Sequence, residues 1–341
     1  MKKIILLGKD LAELINICTD NELPKFHGQQ LYKWMYQKTI LDVDKMSNIP
    51  SKLKNIISEE YQINLLNTDK EITSNSEDTI KYLFKTNDNK LIESVSMIDK
   101  KRHTICISSQ IGCSVDCDFC ATGKMGIIRN LNCGEIIQQL IIIKQNRNIP
   151  ITNIVFMGMG EPFLNYSNVI KSCKILNDPN GFNLSSKRIT ISTSGILPKI
   201  KQFIDEKHKY KLAISLNASN NQTRDKLIPI NKKWPIESIL NSIDKYSYKK
   251  YRPIMFEYIL IDNINDSIEN AIELSNLLKN INCKINIIPY NETDNDYKRS
   301  NKIEAFVKQL NNNNYNYRVL VRWSKGQDID AACGQLATKN E

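Results

Sequence analysis

The sequence predicts an α/β fold: a partial (β/α)6 barrel with a small N-terminal helical accessory domain and a β-hairpin extension. Three observations predict it. From about residue 104 onward, short apolar runs alternate with longer amphipathic stretches. Parallel strands covered by helices on both faces produce that pattern. Before residue 76 the apolar spacing is helical, and over 76–103 it switches to a period of two. At 341 residues the chain can bury one large core plus one small accessory unit.

Taken in order, residues 1–75 read as helical. The stretch 29–36 places Leu31, Trp34 and Met35 at helical spacing, and Ser47 precedes a second helix from Pro50 to about Ser58. Residues 79–97 read as a β-hairpin turning at Asn87-Asp88-Asn89, within an extension spanning 76–103. Leu91, Glu93, Val95 and Met97 share one face, and Glu93 is the only charge on it. A carboxylate there is either solvated at an edge or buried with its pKa raised, as a general base or proton shuttle requires. The core, 104–341, offers strands at 104–108, 153–157, 188–193, 211–216, 255–260 and 284–289, with a seventh at 317–322. Helical stretches between them include 134–145, 165–176 and 267–279, and the asparagine run 311–314 marks a loop.

Lys+Arg exceed Asp+Glu by 47 − 37 = 10, and a basic balance of this size suits a polyanionic partner such as RNA. Many basic proteins bind no nucleic acid, so charge alone leaves this open. The N-terminal module has nearly balanced charges and reads equally as a helical cap or as an RNA-docking unit. No apolar run reaches the length of a membrane span. Nine cysteines, an odd number, and an opening without a signal peptide lead us to expect reduced thiols in the cytoplasm.

Three of those cysteines carry the chemistry. Cys113, Cys117 and Cys120 follow the first barrel strand in a C-x3-C-x2-C run, with Phe119 before the last. Three thiolates on one tight loop can hold three irons of a cubane cluster and leave the fourth open, whereas electron-transfer clusters take four cysteines. An open iron can chelate a substrate. Zinc is the competing reading, with Cys106 or His103 as fourth ligand. Polar residues also fall at other strand ends: the Gly158-Met159-Gly160-Glu161 turn, Ser192, the run Ser215-Leu216-Asn217, and Asn291. Ligand sites of such folds lie at the carboxyl ends of the strands, although any one of these residues alone would suit a cap or turn. Cys106 and Cys333 sit in small, apolar surroundings that also suit simple packing. Cys18, Cys133, Cys173 and Cys283 fit packing in helices and strands.

The cysteine run is the signature of radical S-adenosylmethionine (SAM) enzymes. Further segments occur in order: Ser108-Ser109-Gln110-Ile111-Gly112-Cys113, Phe156-Met157-Gly158-Met159-Gly160-Glu161-Pro162, Ile191-Ser192-Thr193-Ser194-Gly195, Ile288-Pro289-Tyr290-Asn291, and Asp328-Ile329-Asp330-Ala331-Ala332-Cys333-Gly334-Gln335-Leu336. Together they make the chain resemble, over nearly its whole length, the radical SAM adenine-C2 RNA methyltransferases of the RlmN/Cfr family. The resemblance implies one [4Fe-4S] cluster on Cys113, Cys117 and Cys120, and two SAM molecules per turnover. It implies SAM contacts from Gly160, Glu161, Ser192, Ser215, Leu216, Asn217 and Asn291. It implies Cys333 as the methyl-carrying cysteine, Cys106 as the resolving cysteine that forms a transient disulfide with it, and Glu93 as proton acceptor. Carbon 2 of adenine is electron-poor and has no lone pair to attack a methyl group, so a radical route makes chemical sense.

The implied partners are 23S rRNA and tRNA, with an electron donor such as flavodoxin or ferredoxin; a cytoplasmic monomer is expected. Phosphate contacts are expected from Lys232-Lys233, Lys249-Lys250-Tyr251-Arg252, Lys298-Arg299 and Arg322. Two departures stand out. Asn217 occupies a position where many relatives carry His. The chain also stops at Glu341, soon after Cys333, where relatives often continue as a basic tail, so part of the RNA affinity is expected to be missing. Competing readings are a C8-adenine rRNA methyltransferase of the antibiotic-resistance branch, a radical SAM enzyme on a small molecule, and a non-catalytic RNA-binding protein with a structural metal.

Overall fold

The computed structural model describes residues 3–247, 253–293, 295–312 and 315–338. The N-terminal module begins with β1 (Ile4–Ile5), followed by α1 (Leu11–Asp20), α2 (Lys25–Tyr32) and α3 (Ser51–Glu60). Helix α1 starts at a reciprocal cap: the Asp10 side chain accepts from the Glu13 amide, and the Glu13 carboxylate accepts from the Asp10 amide. Leu14, Leu31, Met35, Leu53 and Ile57 point inward and join the main core. Strand β2 (Tyr61–Gln62) pairs in parallel with β1, which closes the module on itself.

The chain then enters one ten-stranded sheet. Strands β3 (Leu66–Thr73), β4 (Thr79–Thr86), β5 (Leu91–Asp99) and β6 (Arg102–Cys106) form an antiparallel meander. The expected hairpin is thus present as β4 and β5, and its turn holds Asn89 at φ 59°, a left-handed conformation that Asn tolerates. The helical reading of residues up to 75 is corrected here: helix ends at Glu60, and 66–73 is an edge strand. All of β3 but Leu66 is exposed or half-exposed, so its Leu-Asn-Thr-Asp-Lys-Glu-Ile-Thr sequence carries no inside–outside alternation to read.

A small hairpin follows β6, made of β7 (Gln110–Gly112) and β8 (Ile127–Asn130), with the one-turn α4 (Ala121–Lys124) between them. Helix α5 (Cys133–Arg147) then leads into β9 (Asn153–Phe156), α6 (Tyr166–Asn177), β10 (Ile189–Thr193), α7 (Leu197–Asp205) and β11 (Lys211–Ser215). After α8 (Asn221–Leu227) and α9 (Ile236–Ser247) come β12 (Ile254–Leu260), α10 (Ile268–Leu278), β13 (Cys283–Pro289), α11 (Ile303–Asn311) and β14 (Tyr317–Val321). The sheet order β14-β13-β12-β11-β10-β9-β6-β5-β4-β3 keeps β6 and β9 to β14 in sequence order, all parallel. Each crossover carries a helix. This is the (β/α)6 arrangement with β14 as a seventh strand, and every barrel strand falls within two residues of its expected position.

Helix α5 docks the module to the barrel. Gln138 accepts from the amides of Leu65 (2.6 Å) and Leu66 (3.1 Å), fixing where β3 begins. Of the asparagine run, Asn311 closes α11 rather than opening a loop, because Phe306 and Leu310 hold the helix on the core to its last turn; Asn313 and Asn314 lie outside the described residues. Among the described residues no helix is long and apolar enough to cross a membrane.

Candidate active site

A cavity of about 150 Å³ opens at the carboxyl ends of the parallel strands. One wall is the cysteine loop. Its base is fixed by the β7–β8 hairpin, where the Cys113 amide donates to the Gly126 carbonyl (2.8 Å). Gly112 must be glycine: its φ is +74°, and a Cβ would overlap the Gly126 carbonyl oxygen. A tight turn then brings the Cys120 amide to the Cys117 carbonyl (3.1 Å). Cys113, Cys117 and Cys120 all line this one cavity. Burial pushes the Cys113 thiol up to about 12, and raises Cys117 and Cys120 as well.

The donor set fits an iron–sulfur cluster with one open iron. Three thiols share a wall, and His103, one of the two candidate fourth ligands, is engaged elsewhere. His103 sits at the start of β6, with Nε2 at 2.8 Å from Ser96 Oγ and Nδ1 at 3.3 Å from the Ile149 carbonyl. Cys106, at the other end of β6, is buried and neighbours Cys333 and Arg322. Among the described residues, no three Cys, His, Asp or Glu side chains gather as ligands of a single ion. Thiols raised by burial become thiolates when a cationic iron core replaces their protons.

Gly160, Glu161, Ser192, Ser215 and Asn217 line the same cavity, brought together from the ends of β9, β10 and β11. Gly160 is needed for a reason internal to the chain. At φ +94° its missing Cβ is where the Gln110 side chain packs, so the turn after β9 can lie on β7. Glu161 accepts from the Phe163 amide (3.0 Å), the Ser194 amide (2.8 Å) and Ser194 Oγ (2.8 Å). The Thr193 side chain donates to the same carboxylate, so its acceptor positions are filled from within the protein. Asn217, at φ 56°, ties strand ends together: its Oδ1 accepts from the Ile259 amide (2.9 Å) and its carbonyl accepts from Asn265 Nδ2 (2.8 Å). The Leu216 side chain is fully buried, and its backbone joins the Glu257 carbonyl and the Arg224 guanidinium. Asn291 lies in a neighbouring recess with Arg299 and Gln327. Its Nδ2 donates to Ser324 Oγ (2.9 Å) and the Cys333 carbonyl (3.1 Å), so it anchors the segment bearing Cys333.

That segment roofs the cavity. Cys333 and Gly334 line it. The Gly334 carbonyl accepts from the Ala121 amide (2.8 Å) and the Leu336 carbonyl from Thr122 Oγ1, which seats the segment against the cysteine loop. The hairpin extension holds its other side. Lys325 Nζ reaches Asp78 (2.6 Å) and the Ile98 carbonyl (2.7 Å), and Asp328 accepts from the Asn75 amide (2.7 Å). Glu93 is buried under residues 330–337 and does not line the cavity itself. Its Oε1 pairs with Lys81 Nζ (3.3 Å), while Oε2 has no hydrogen-bond partner among the described residues. Burial raises its pKa, opposed by Lys81. Of the two readings of the lone carboxylate, the structure shows the buried one. All nine cysteines are free thiols, so no disulfide joins Cys106 to Cys333.

Three residues escaped the sequence reading. Glu257 is a lone charge in an apolar strand, and the logic applied to Glu93 would have found it; Lys81 shares its strand face with Lys85, so the same logic does not single it out. Glu257 lines the cavity; its Oε1 accepts from Asn286 Nδ2 (2.9 Å) and its Oε2 is unpartnered among the described residues. Burial raises its pKa. Arg224 gave no signal. It is fully buried and donates to the carbonyls of Leu216 (3.0 Å), Ser194 (2.5 Å) and Ser215 (3.1 Å) and to Asn231 Oδ1 (2.8 Å). Arg322 is a correction. It does not stand in an outward basic cluster but lines the cavity, because its side chain turns inward past the end of β14 toward Cys333, Glu257 and Cys106. Lys232, Lys233 and Lys298 are exposed; Lys249, Lys250, Tyr251 and Arg252 lie outside the described residues. Arg299 is spent inside, on the Tyr290 carbonyl (3.0 Å) and Gln327 (3.0 Å).

Comparison with known proteins agrees with this geometry. A model of the radical SAM superfamily matches residues 107–275, and one of the ribosomal RNA large subunit methyltransferase N-terminal domain matches residues 4–63. A probable dual-specificity RNA methyltransferase RlmN of Spiroplasma citri is 42% identical over 322 residues, covering 93% of this chain and 92% of its own. Its counterpart in Dictyoglomus thermophilum is 42% identical over 335 residues, covering 97% and 96%. The crystal structure of a radical SAM methyltransferase from Sphaerobacter thermophilus aligns with a TM-score of 0.93 at 38% identity, covering 98% of this chain and 99% of that one. With the three-thiol loop, the barrel and the N-terminal module all matched over nearly the full length, the chain belongs to the RlmN family of RNA methyltransferases within the radical SAM superfamily.

Proposed function

We propose that this enzyme methylates carbon 2 of adenine in RNA, in the peptidyl-transferase region of 23S rRNA and next to the anticodon of tRNA, through a methyl group carried on Cys333. The observation that carries the proposal is the meeting of two cysteine sets at one cavity. Cys113, Cys117 and Cys120 form one wall, and Cys333, with Cys106 behind it, comes from a segment far away in sequence. Two cofactors would occupy the cavity. The cluster would sit on the three loop thiols. SAM would lie against the ends of β9 to β11, near Gly160, Glu161, Ser192, Ser215, Leu216 and Asn217. When bound, they supply the one-electron chemistry that removes a hydrogen atom from an unactivated methyl group, with an electron from a flavodoxin- or ferredoxin-type donor. Two SAM molecules are consumed, one as methyl source and one as oxidant.

The chain's own residues do the rest. Cys333 holds the methyl group, and the Arg322 guanidinium faces it across the cavity. Asn291 fixes the Cys333 backbone, so the methyl group points into the cavity from a held position. Glu93 receives the proton that carbon 2 gives up, on the oxygen that has no other partner. The carried carbon, one hydrogen atom lighter, bonds to carbon 2, and the adduct would give up one electron to the cluster along with the carbon-2 proton. Cys106 then loses its thiol proton and attacks the Cys333 sulfur; the carbon–sulfur bond breaks with its electron pair going to the transferred carbon, which takes up a proton to complete the methyl group. The methylated base leaves, and the disulfide formed must be reduced before the next turnover. The target adenine must be extruded from its stack to reach this depth. Exposed Lys232, Lys233 and Lys298 are suited to hold the flanking phosphates. The enzyme acts in the cytoplasm as a monomer.

The test is mass spectrometry of nucleosides from rRNA and tRNA with and without the gene. Gene-dependent 2-methyladenosine, lost with Cys333→Ala and with Cys117→Ala, is the expected result. Appearance of 8-methyladenosine instead would move the protein to the C8 branch, and no change in either nucleoside would refute RNA methylation.

A further inference from the structure

Glu93 is paired with a cation from outside the barrel, and that cation also touches the segment it faces. Lys81 Nζ lies 3.3 Å from Glu93 Oε1 and 3.4 Å from the carbonyl of Asp330, three residues before Cys333. The Lys81 side chain is 11% exposed and that of Glu93 is 7% exposed. A buried ion pair of this kind is a weak source of stability, because desolvating two charges offsets most of their attraction. The other lysine of the strand Thr79–Thr86, Lys85, is exposed, whereas the Lys81 ammonium is turned onto a buried carboxylate, which needs another explanation.

We propose that Lys81 is a positioning residue for the methyl transfer: it keeps Glu93 ionised and tethers it to the Cys333 segment. The inference rests on the reading of Glu93 as proton acceptor given above. A carboxyl group buried here would otherwise hold its proton and could accept none. The other groups facing Glu93 do not supply the missing charge. Asp330, from the C-terminal segment, opposes ionisation; the Ala337 backbone favours it through a hydrogen bond but carries no charge; Met159 from the turn after β9 brings only its sulfur, 3.3 Å from the Glu93 amide. Lys81 is thus the cation, among the described groups that act on Glu93, that favours its charged form. Because Lys81 comes from β4 and Glu93 from β5, with Leu83 paired opposite Glu93, the antiparallel register alone places the ammonium beside the carboxylate. The same ammonium on the Asp330 carbonyl sets the distance between the base and the cysteine that carries the methyl group.

The sign of the pH effect follows. Removing the positive charge raises the Glu93 pKa further, so the acidic limb of the rate profile moves to higher pH. Each unit of that shift lowers the rate on the limb about tenfold, and the rate recovers as pH rises. The experiment measures 2-methyladenosine formation against pH by the full-length, cluster-loaded enzyme on an RNA fragment, for wild type, Lys81→Met, Lys81→Arg and Glu93→Gln. Protein and cluster content are checked by melting and by iron analysis. We expect an upward-moved acidic limb in Lys81→Met, a limb restored toward wild type in Lys81→Arg, and little product at any pH from Glu93→Gln. S-methylation of Cys333, read by protein mass spectrometry, should survive in all of them, since that step needs no proton acceptor. A parallel loss at every pH in Lys81→Met, or an unmoved limb, would overturn the inference and leave the methylation itself standing. Full activity of Glu93→Gln would overturn it too, by removing the base that Lys81 serves. Wild-type enzyme that makes no 2-methyladenosine would instead overturn the proposed function, and this inference with it.

Discussion

Glu161 and Glu93 are both buried carboxylates at the carboxyl end of the sheet, yet they are satisfied in opposite ways. Glu161 accepts hydrogen bonds from backbone and hydroxyl groups of its own strand ends. Glu93 has one cation on one oxygen and nothing on the other, and Glu257 across the cavity likewise keeps a bare Oε2 among the described residues. The same contrast runs through the arginines. Arg224 spends its guanidinium on three carbonyls and an amide oxygen, whereas Arg322 faces the cavity beside Cys333. One side of the site is therefore frame, closed by bonds internal to the protein. The other side keeps unspent acceptors and charge near the cysteines that react. Unpartnered buried polar atoms are costly, and they persist where chemistry uses them.

Four measurements break or sharpen this contrast. The largest effect is expected from Cys333→Ala, which should remove all methylated product while iron content stays at the wild-type level and stability stays within about 1 kcal/mol; a large loss of stability would mean the roof is frame too. Arg224→Met should do the reverse. Leaving its acceptors without a donor should lower unfolding free energy in urea by about 3 kcal/mol. Lys325→Met cuts the half-exposed tie from the Cys333 segment to Asp78 and Ile98. About 1 kcal/mol or less of stability should go, with a larger proportional drop in product, since the tie orients the roof more than it holds the fold.

The smallest effect is a slope. Glu257 has a folded pKa raised above its ordinary 4.5 by burial. Its protonated form is the one the fold prefers, so its contribution is intact below about 4.5 and is lost as pH rises through the folded value. Wild type should therefore lose stability relative to Glu257→Gln on going from acid to neutral pH, by less than about 1 kcal/mol. Melting curves of the two proteins across that range read it directly, and parallel curves would show that Arg322 and Asn286 already neutralise the cost.

Much of this site could be read along the chain. Cys113, Cys117 and Cys120 are close in sequence, so their spacing alone reports one loop. The barrel strands announce themselves because they are buried on both faces, as in Ile189-Thr190-Ile191-Ser192-Thr193. What escaped falls into two kinds. Strand β3 is an exposed edge, and nothing selects an alternating pattern on a strand without a buried face. Lys81, Arg224 and Arg322 are charges whose meaning depends on what they meet, and sequence alone read Arg322 as facing outward.

By itself, then, the sequence determined the local chemistry: a three-thiolate loop, a parallel barrel to carry it, and a lone glutamate in an apolar strand. These follow from short-range spacing and from the two periods of burial. Only the tertiary structure decided which of these groups work together. Cys333 lies 213 residues beyond Cys120 and meets the cysteine loop because Ala121 and Thr122 bond to Gly334 and Leu336. Whether Glu93 is solvated or buried depended on a roof that residues 330–337 supply from the far end of the chain. Desolvation and charge pairing act through space, and no spacing rule along one strand can report them.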